Sequence, residues 1–424
     1  MKTVLYGLNG ATDICLREMG HDHEIVLVTT TGAPAYQGRD VLNLENLAQL
    51  NFDEIEQVII CSMFVNEITA SLLSIGFPIQ RVYFHDMQDW VVNRCADKIN
   101  NVVHKDDVLY AFFDLACSVA TFDVVFFAVA AEVERKLQKK KHIHFFIVPG
   151  ASCNPDWVSI QTIHTPADTR WRIDHIITPI FNMIEATIGI SSLAFREETL
   201  NALSSGTSIF PSHFSPDKHD HQVLVPEIKP YVEQGHSLIC LKPQEEAKRL
   251  VDSFLSDKLG DRELVVVTLR EYAQQGQRNS KYDVWADFIK ALDQRAYMPV
   301  LVRDTYKSTT PLPPEFEDVV DFPMASIDLN VRVALYEKAF TNIGTATGPA
   351  VLPNFVADTS YVTFVPDFKD APTSNYESCR RAEMIPYEEV FFRGNENQLV
   401  VWDAPTTELI MKSFKKICEN KSTS

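Results

Sequence analysis

The chain lacks most of the signatures that would fix its chemistry at a glance. Its eight cysteines, Cys15, Cys61, Cys95, Cys117, Cys153, Cys240, Cys379 and Cys418, form no CxxC pair. Most lie in apolar segments, so they are expected to be reduced, buried thiols of a cytoplasmic protein rather than disulfides or a zinc site. No long basic run occurs and the net charge is −18, which together argue against nucleic acid as a partner. The short cluster Lys139–Lys141 reads as the cation-rich end of a helix. The opening MKTVLYGLNG passes directly into a strand pattern with no long apolar core and cleavage site, so no signal peptide is expected. The one segment that approaches a membrane span, Val108 to Ala131, carries Asp114 and Asp123. Each would cost about 2.5–3.5 kcal/mol near the centre of a bilayer. A buried strand–helix unit is expected there and no transmembrane segment, with peripheral membrane contact left open. Internal repeats and low-complexity segments are also absent.

What is present is an ordinary globular composition, 46% hydrophobic and 23% charged over 424 residues, enough for two to four domains of roughly 100–200 residues. Apolar strand runs alternate with helix-period segments throughout, the pattern of parallel sheets covered by helices. The expected fold class is α/β, with three Rossmann-like blocks: residues 1–105, 106–235 and 236–424. In the first, strands over Lys2–Tyr6, Ile25–Thr29, Gln57–Cys61 and Arg81–His85 flank helices over Ala11–Met19 and Asn66–Ile75. In the second, strands Val108–Phe113, His142–Val148 and Ser191–Phe195 accompany helices Phe122–Gln138 and Trp171–Thr187. Residues 204–222, rich in Ser, Pro, His and Asp, read as a connecting loop. The third block has strands Glu263–Thr268, Met298–Arg303, Phe340–Ile343 and Ser360–Val365. Its helices are Lys281–Arg295, Leu329–Lys338, Ala350–Phe355 and Thr406–Cys418.

Four segments could carry chemistry. Gly7-Leu-Asn9-Gly10 follows a strand and opens a helix, as in dinucleotide-binding turns, but the full GxGxxG is missing and the second strand ends in Val28-Thr29-Thr30 without an acid for a ribose. It is either a structural turn or a nucleotide contact. Thr268-Leu-Arg270-Glu271, followed by Arg278-Asn279-Ser280, lies beyond a strand's C-terminal end, where open α/β sheets bind ligands. Its guanidinium forks suit a diphosphate, although Arg270 and Glu271 could instead pair with each other. Arg303-Asp304 ends the next strand on the same edge, to contact the ligand or to pair internally. Gly344-Thr345-Ala-Thr347-Gly348-Pro349 leads from a strand into a helix, with amides and hydroxyls placed to hold a phosphate or sugar or simply to cap; no lysine follows, so it is not a Walker A loop. Asp114, at the end of its strand, is a candidate general base or a turn cap. The pairs His21/His23, His142/His144 and His219/His221, the last with His213, suggest no metal site. No Asp-x-Asp follows a strand to hold one, which favours charge stabilisation by arginine and helix dipoles.

In order along the chain, YAFFDLACSVATFDVVFF, HFFIVPG, WRIDHIITPI, TLRE…RNS, PVLVRDT and NIGTATGP resemble segments of a group of bacterial glycosyltransferases with a GT-B-like fold, over about residues 107–365. Residues 1–86 resemble small Rossmann-like domains attached to sugar-nucleotide enzymes. The resemblance implies that the last two blocks form a GT-B-like pair around a cleft, acceptor half first and donor half second. It implies donor contacts at Arg270, Arg278, Ser280, Gly344, Thr345, Thr347 and Gly348, with Thr268, Glu271, Asn279, Arg303, Asp304 and Pro349 beside them. The expected activity is metal-independent sugar transfer from a nucleotide-sugar to a glycan or other surface-polysaccharide acceptor, with no cofactor required. No established base of the group matches this chain. A sugar-nucleotide epimerase or a non-catalytic nucleotide- or glycan-binding protein remains the alternative. Oligomeric state is not legible.

Overall fold

The computed structural model describes residues 2–19, 24–30, 32–85, 92–95, 105–150, 164–203, 208–217, 222–272, 276–366, 376–377 and 395–423. The chain divides into two compact units, Met1–His104 and Lys105–Ser424.

The first unit is built on β1 (Lys2–Tyr6), β2 (Glu24–Val28), β3 (Ala35–Tyr36), β4 (Arg39–Leu42), β5 (Ile55–Ile60), β6 (Val82–His85) and β7 (Val92–Arg94). The strand order is β3-β4-β2-β1-β5-β6-β7, parallel except for the outer pairs β3/β4 and β6/β7. The turn after β1 needs its first glycine: Gly7 has φ +115°, and a Cβ there would overlap the Cys61 carbonyl. Asn9 then caps the helix Gly10–Glu18, accepting from the Ala11 amide at 2.9 Å and donating to the Cys61 carbonyl at 2.7 Å. Thr12 Oγ1 donates to the Gly7 carbonyl at 2.7 Å.

The second unit holds two parallel sheets. One contains β8 (Val108–Asp114), β9 (His142–Val148), β10 (Thr187–Ser192) and β11 (Ser208–Phe210), in the order β10-β9-β8-β11. The other contains β12 (Glu263–Thr268), β13 (Tyr297–Val302), β14 (Val320–Asp321), β15 (Thr341–Thr345), β16 (Tyr361–Phe364) and β17 (Gln398–Val401), in the order β14-β13-β12-β15-β16-β17. The second order is that of a doubly wound sheet, reversing direction between β12 and β15. Its strands read as continuous apolar runs because both faces are covered. Trp285, Phe288, Ile410 and Phe414 pack on one face, and Val251, Leu255, Val331 and Leu335 on the other.

The segment that approached a membrane span is a strand and a helix, as its two aspartates suggested. In the helix Val124–Leu137, every residue from Val124 to Val133 is buried. No helix among the described residues is long and apolar enough to cross a membrane. The helix packs on the smaller sheet, and its core runs without interruption into the larger block through Leu329, Val333, Leu352, Phe355 and Val356. Backbone bonds reinforce the junction: the Cys240 and Leu241 amides both donate to the Phe355 carbonyl, and the Lys242 amide donates to Met183.

Several elements differ from the sequence expectation. The helix read over Trp171–Thr187 starts at Pro166, where Thr165 and Asp168 form a capping box with proline in the first turn. It widens into a π-turn over Ile173–Ile177 just before Pro179, whose missing N–H cannot continue the regular ladder, and ends at Asn182. The next strand therefore begins at Thr187, earlier than Ser191. Within the segment read as a connecting loop, Ser208–Phe210 is a strand paired with β8; three residues are too few to show a period. The turn after β15 continues as a 3₁₀ helix over Gly348–Phe355 rather than an α-helix, with Pro353 inside it.

Register places Thr268 beside Gly344. A Cβ at Gly344 would stand 2.6 Å from the Thr268 carbonyl oxygen, a backbone atom that cannot swing away. Gly344→Ala is expected to lower stability by about 1–3 kcal/mol, seen as a fall in the denaturation midpoint. An unchanged midpoint would show that β12 and β15 separate at no cost.

Candidate functional site

The strand order reverses between β12 and β15, and the loops leaving their C-terminal ends come together where Ser280 meets Thr345; open α/β sheets bind ligands at such a reversal. Buried hydroxyls pin the floor. Ser280 Oγ accepts from the Arg270 amide at 2.9 Å, the Ser280 amide donates to the Arg270 carbonyl at 2.9 Å, and Ser280 Oγ lies 3.2 Å from Thr345 Oγ1. Thr268 Oγ1 lies 3.1 Å from the Tyr336 hydroxyl. These threonine and serine side chains hold the loops in place, which leaves the Arg270 guanidinium as the long cationic group at this point. Its Nη1 donates to Asn279 Oδ1, and it lies 5.7 Å over the Tyr272 ring. Burial pulls its pKa below the ordinary guanidinium value, opposed by the charges of Asp304 and Tyr272. Arg278 sits half-buried in the short 3₁₀ turn Gly276–Arg278, immediately before Asn279 and Ser280.

The turn after β15 supplies donors of its own. The Ala346 amide is taken by the Phe364 carbonyl, the Ala350 amide by the Thr347 carbonyl, and Pro349 has no N–H. That leaves the Thr347 and Gly348 amides, next to a Thr347 hydroxyl that is shielded from solvent and has no hydrogen-bond partner. Such groups are costly to leave unmet in a protein interior.

Several expected contacts have other employment. Glu271 does not pair with Arg270. It is held by Arg303, whose Nη2 reaches Glu271 Oε1 at 2.7 Å and whose Nε reaches Oε2 at 3.0 Å, and it accepts the Tyr282 hydroxyl at 2.7 Å. Both charged partners are almost fully buried. Asp304 Oδ2 accepts the Glu271 amide at 2.6 Å. This network buttresses the Arg270 loop from behind. Asp114 is likewise engaged: Arg196 Nη1 and Nη2 reach its two oxygens at 2.6 and 2.8 Å, and the Ala116 amide donates to Oδ1 at 2.8 Å. Both carboxylate oxygens are taken up by a buried forked guanidinium, so Asp114 is a structural anchor in this geometry. His142 and His144 share a face of β9, where His144 Nε2 lies 2.8 Å from Ser191 Oγ. His21, His23, His219 and His221 lie outside the described residues. Gly7, Asn9 and Gly10 lie in the other unit, where the Asn9 side chain is spent on the cap and on Cys61.

The smaller block contributes a residue that sequence reasoning passed over. After β8 the chain turns through Leu115–Thr121 and enters the buried helix at Phe122 and Asp123. The Phe122 ring lies flat against Gly348, close enough that a Cβ there would overlap it. Loops beyond the C-terminal ends of both sheets therefore touch. Asp123, next along, is exposed. Burial pushes its carboxyl above the usual range, opposed by the Thr121 hydroxyl, which donates to Oδ2 at 3.1 Å. It makes no ion pair among the described residues. The sequence signal was available, since an aspartate interrupts an apolar run where a helix begins, but it was read only as a mark against a membrane span.

No family model matches the chain, and no curated protein does. Solved structures do. A glycosyl transferase of family 9 from Veillonella parvula is 13% identical, with a TM-score of 0.39, over 74% of this chain and 97% of that one. The E. coli ADP-heptose lipopolysaccharide heptosyltransferase II is 10% identical, with a TM-score of 0.31, over the whole of both chains. A UDP-GlcNAc 2-epimerase from Neisseria meningitidis, bound to UDP-GlcNAc, is 13% identical, with a TM-score of 0.29, over 100% of this chain and 93% of that one. At scores of this size the likeness adds nothing to the topology described above.

Proposed function

We propose that residues 105–424 form a glycosyltransferase that moves a sugar from a nucleotide-sugar donor to an acceptor hydroxyl. The observation that carries the reading is the meeting of two unlike walls at the switch point of the larger sheet. One wall offers the buried Arg270 on the loop after β12, and the Thr347 hydroxyl with the Thr347 and Gly348 amides on the loop after β15, the two loops being joined through Ser280 and Thr345. The other offers Asp123, a carboxyl with a raised pKa, one residue from the ring that touches Gly348.

The chemistry follows from those groups. When the bond between the anomeric carbon and the diphosphate oxygen breaks, negative charge grows on the leaving diphosphate. Arg270 and the turn donors stabilise it, and being already oriented and partly desolvated they need little reorganisation. In this reading guanidinium and amide donors carry the charge that a divalent cation would otherwise balance. On the opposite wall Asp123 accepts the proton of the attacking hydroxyl. Its raised pKa makes it a stronger base than an ordinary aspartate.

A panel of uridine, guanosine, cytidine and adenosine diphosphates tests the donor side. At least one is expected to raise the melting temperature of the protein, since binding to the folded state stabilises it by RT ln(1 + [L]/Kd). Arg270→Ala is expected to weaken that nucleotide by about 10- to 100-fold, the worth of a hydrogen bond to a charged group. No shift with any nucleotide at millimolar concentration would sink the reading.

Turnover tests the other wall, with the matching nucleotide-sugar and water or a screened hydroxyl as acceptor. Asp123→Asn is expected to lower kcat by about 100- to 10,000-fold, the usual range for a general base, with donor affinity kept. Only the ionised carboxylate accepts a proton, so activity should rise with pH along a limb displaced upward from that of an ordinary aspartate and be lost below it. Loss of donor affinity without loss of kcat in that variant would remove Asp123 from this role. Epimerised nucleotide-sugar without release of the diphosphate would replace transfer by epimerisation.

A further inference from the structure

Most arginines of the second unit with a resolved partner are neutralised. Arg135 has Glu132, Arg170 has Asp174, Arg196 has Asp114 and Arg303 has Glu271. Arg332 has no carboxylate but donates to the Ala325 and Arg303 carbonyls at 2.7 and 2.8 Å. Arg172 differs from all of these. It ends the helix Pro166–Arg172 of the smaller block, is half-buried, and makes no ion pair among the described residues. Among the described residues its hydrogen bonds are two long ones, Nη1 to the Ala120 carbonyl and Nη2 to the Tyr272 hydroxyl, each at 3.4 Å. Both exceed the usual N–H···O distance of about 2.9–3.0 Å.

The place matters as much as the lack of a partner. Ala120 lies in the loop that carries Asp123, and Tyr272 is the residue whose ring lies beneath the Arg270 guanidinium. Arg172 thus reaches from the smaller block to the aromatic group that its counterpart in the larger block rests on. Beside it stands His164. Burial lowers the His164 pKa and the Arg172 charge lowers it further, and its Nε2 is shielded from solvent without a hydrogen-bond partner. The Asp168 carboxyl also feels the Arg172 charge, but it is committed to Thr165, which donates to it through both its amide and its hydroxyl. A guanidinium taken partly out of water without a carboxylate in contact is costly. It is expected where an anion completes the site.

We infer that Arg172 is a second anion clamp, gripping from the smaller block the diphosphate that Arg270 holds from the larger one. This rests on the donor site proposed above and deepens it: the anion would be held from both walls, and its binding would tie the two blocks together. Arg172 would exchange its weak bond to the Tyr272 phenol for charge-assisted bonds to phosphate oxygens, with His164 Nε2 close enough in its neutral N–H form to add a donor.

Equilibrium titration of the full chain with the nucleoside diphosphate it binds, and with the matching nucleoside as a competitor, tests the inference. Arg172→Ala is expected to weaken the diphosphate by about 10- to 100-fold and leave the nucleoside unchanged. Arg172→Lys, which keeps the charge but not the fork, should recover part of the loss; it also carries the test if the alanine variant does not fold. Undiminished diphosphate affinity in Arg172→Ala, alongside a loss in Arg270→Ala, would overturn the clamp and leave the donor site standing. Equal losses for nucleoside and diphosphate would make Arg172 a structural strut and also overturn it. Failure of the wild-type chain to bind any diphosphate would remove the donor site and the clamp with it.

Discussion

The site depends on how closely β12 and β15 approach at the reversal of strand order. In a doubly wound sheet the loops leaving the two strands at the reversal turn away to opposite faces, so nothing from the chain itself fills the gap between them. The gap is useful only if the strands stay adjacent to their last residues. Here that requires no side chain at Gly344, since the Thr268 carbonyl occupies the space a Cβ would take. With the strands held, Ser280 and Thr345 come within hydrogen-bond range, the Arg270 backbone is fixed at both its amide and its carbonyl, and the guanidinium has a defined origin. A second missing side chain, at Gly348, lets Phe122 of the neighbouring block close against the same turn. Two glycines, each required by a close approach, bring the two loops and the neighbouring block together.

Around that crevice, charge is arranged by contrast. Glu271 and Arg303 form a buried pair supported by Tyr282, and Asp114 and Arg196 form another. Pairs of this kind are weak sources of net stability, because the desolvation of both ions offsets their attraction, but breaking one is costly and so they fix geometry firmly. They anchor the loops behind the crevice and behind the end of β8. The groups facing the crevice are treated in the opposite way. Arg270 is desolvated enough for its pKa to fall, Arg172 has only long bonds to neutral oxygens, and Asp123 carries a raised pKa with a single hydroxyl partner. The structure therefore separates buried ion pairs that hold the fold from groups whose resolved partners are not oppositely charged side chains.

Much of the fold was legible in the sequence because buried parallel strands leave long apolar runs. The ELVVVT run of β12 and the HIHFFIV run of β9 appear where they were expected, and the block from Val108 to Ala131 betrayed its burial through its two aspartates. What was not legible depended on partners far away in the chain. The three-residue β11 is a strand only because β8 offers it an edge. The π-turn before Pro179 is a local answer to a missing N–H, invisible to a 3.6-residue period. The site shows the same division. Loops after strands could be found by spacing, and the TLRE…RNS and GTATGP segments do meet. The role of each side chain could not, because Arg303 and Arg270 carry identical chemistry and differ only in whether Glu271 is within reach.

The two aspartates of the smaller block make that point most sharply. Asp114 ends β8 and was the natural candidate for a base, since strand ends point toward ligands. Asp123 lies nine positions later, after a turn, and looked like the start of a helix. Their surroundings reverse the assignment. Asp114 is buried where the segment after β10 folds back and brings Arg196 onto it with both nitrogens. The guanidinium holds both carboxylate oxygens through two charge-assisted bonds. Asp123 is lifted past the sheet edge by the intervening turn, to where Phe122 meets Gly348. There the protein crowds its carboxyl without offering a cation, so a proton is taken up more readily than by an aspartate in water. The same residue type within one strand–turn–helix unit thus meets opposite surroundings at its two positions, and the decisive difference is a single arginine contributed 82 residues away from the first of them.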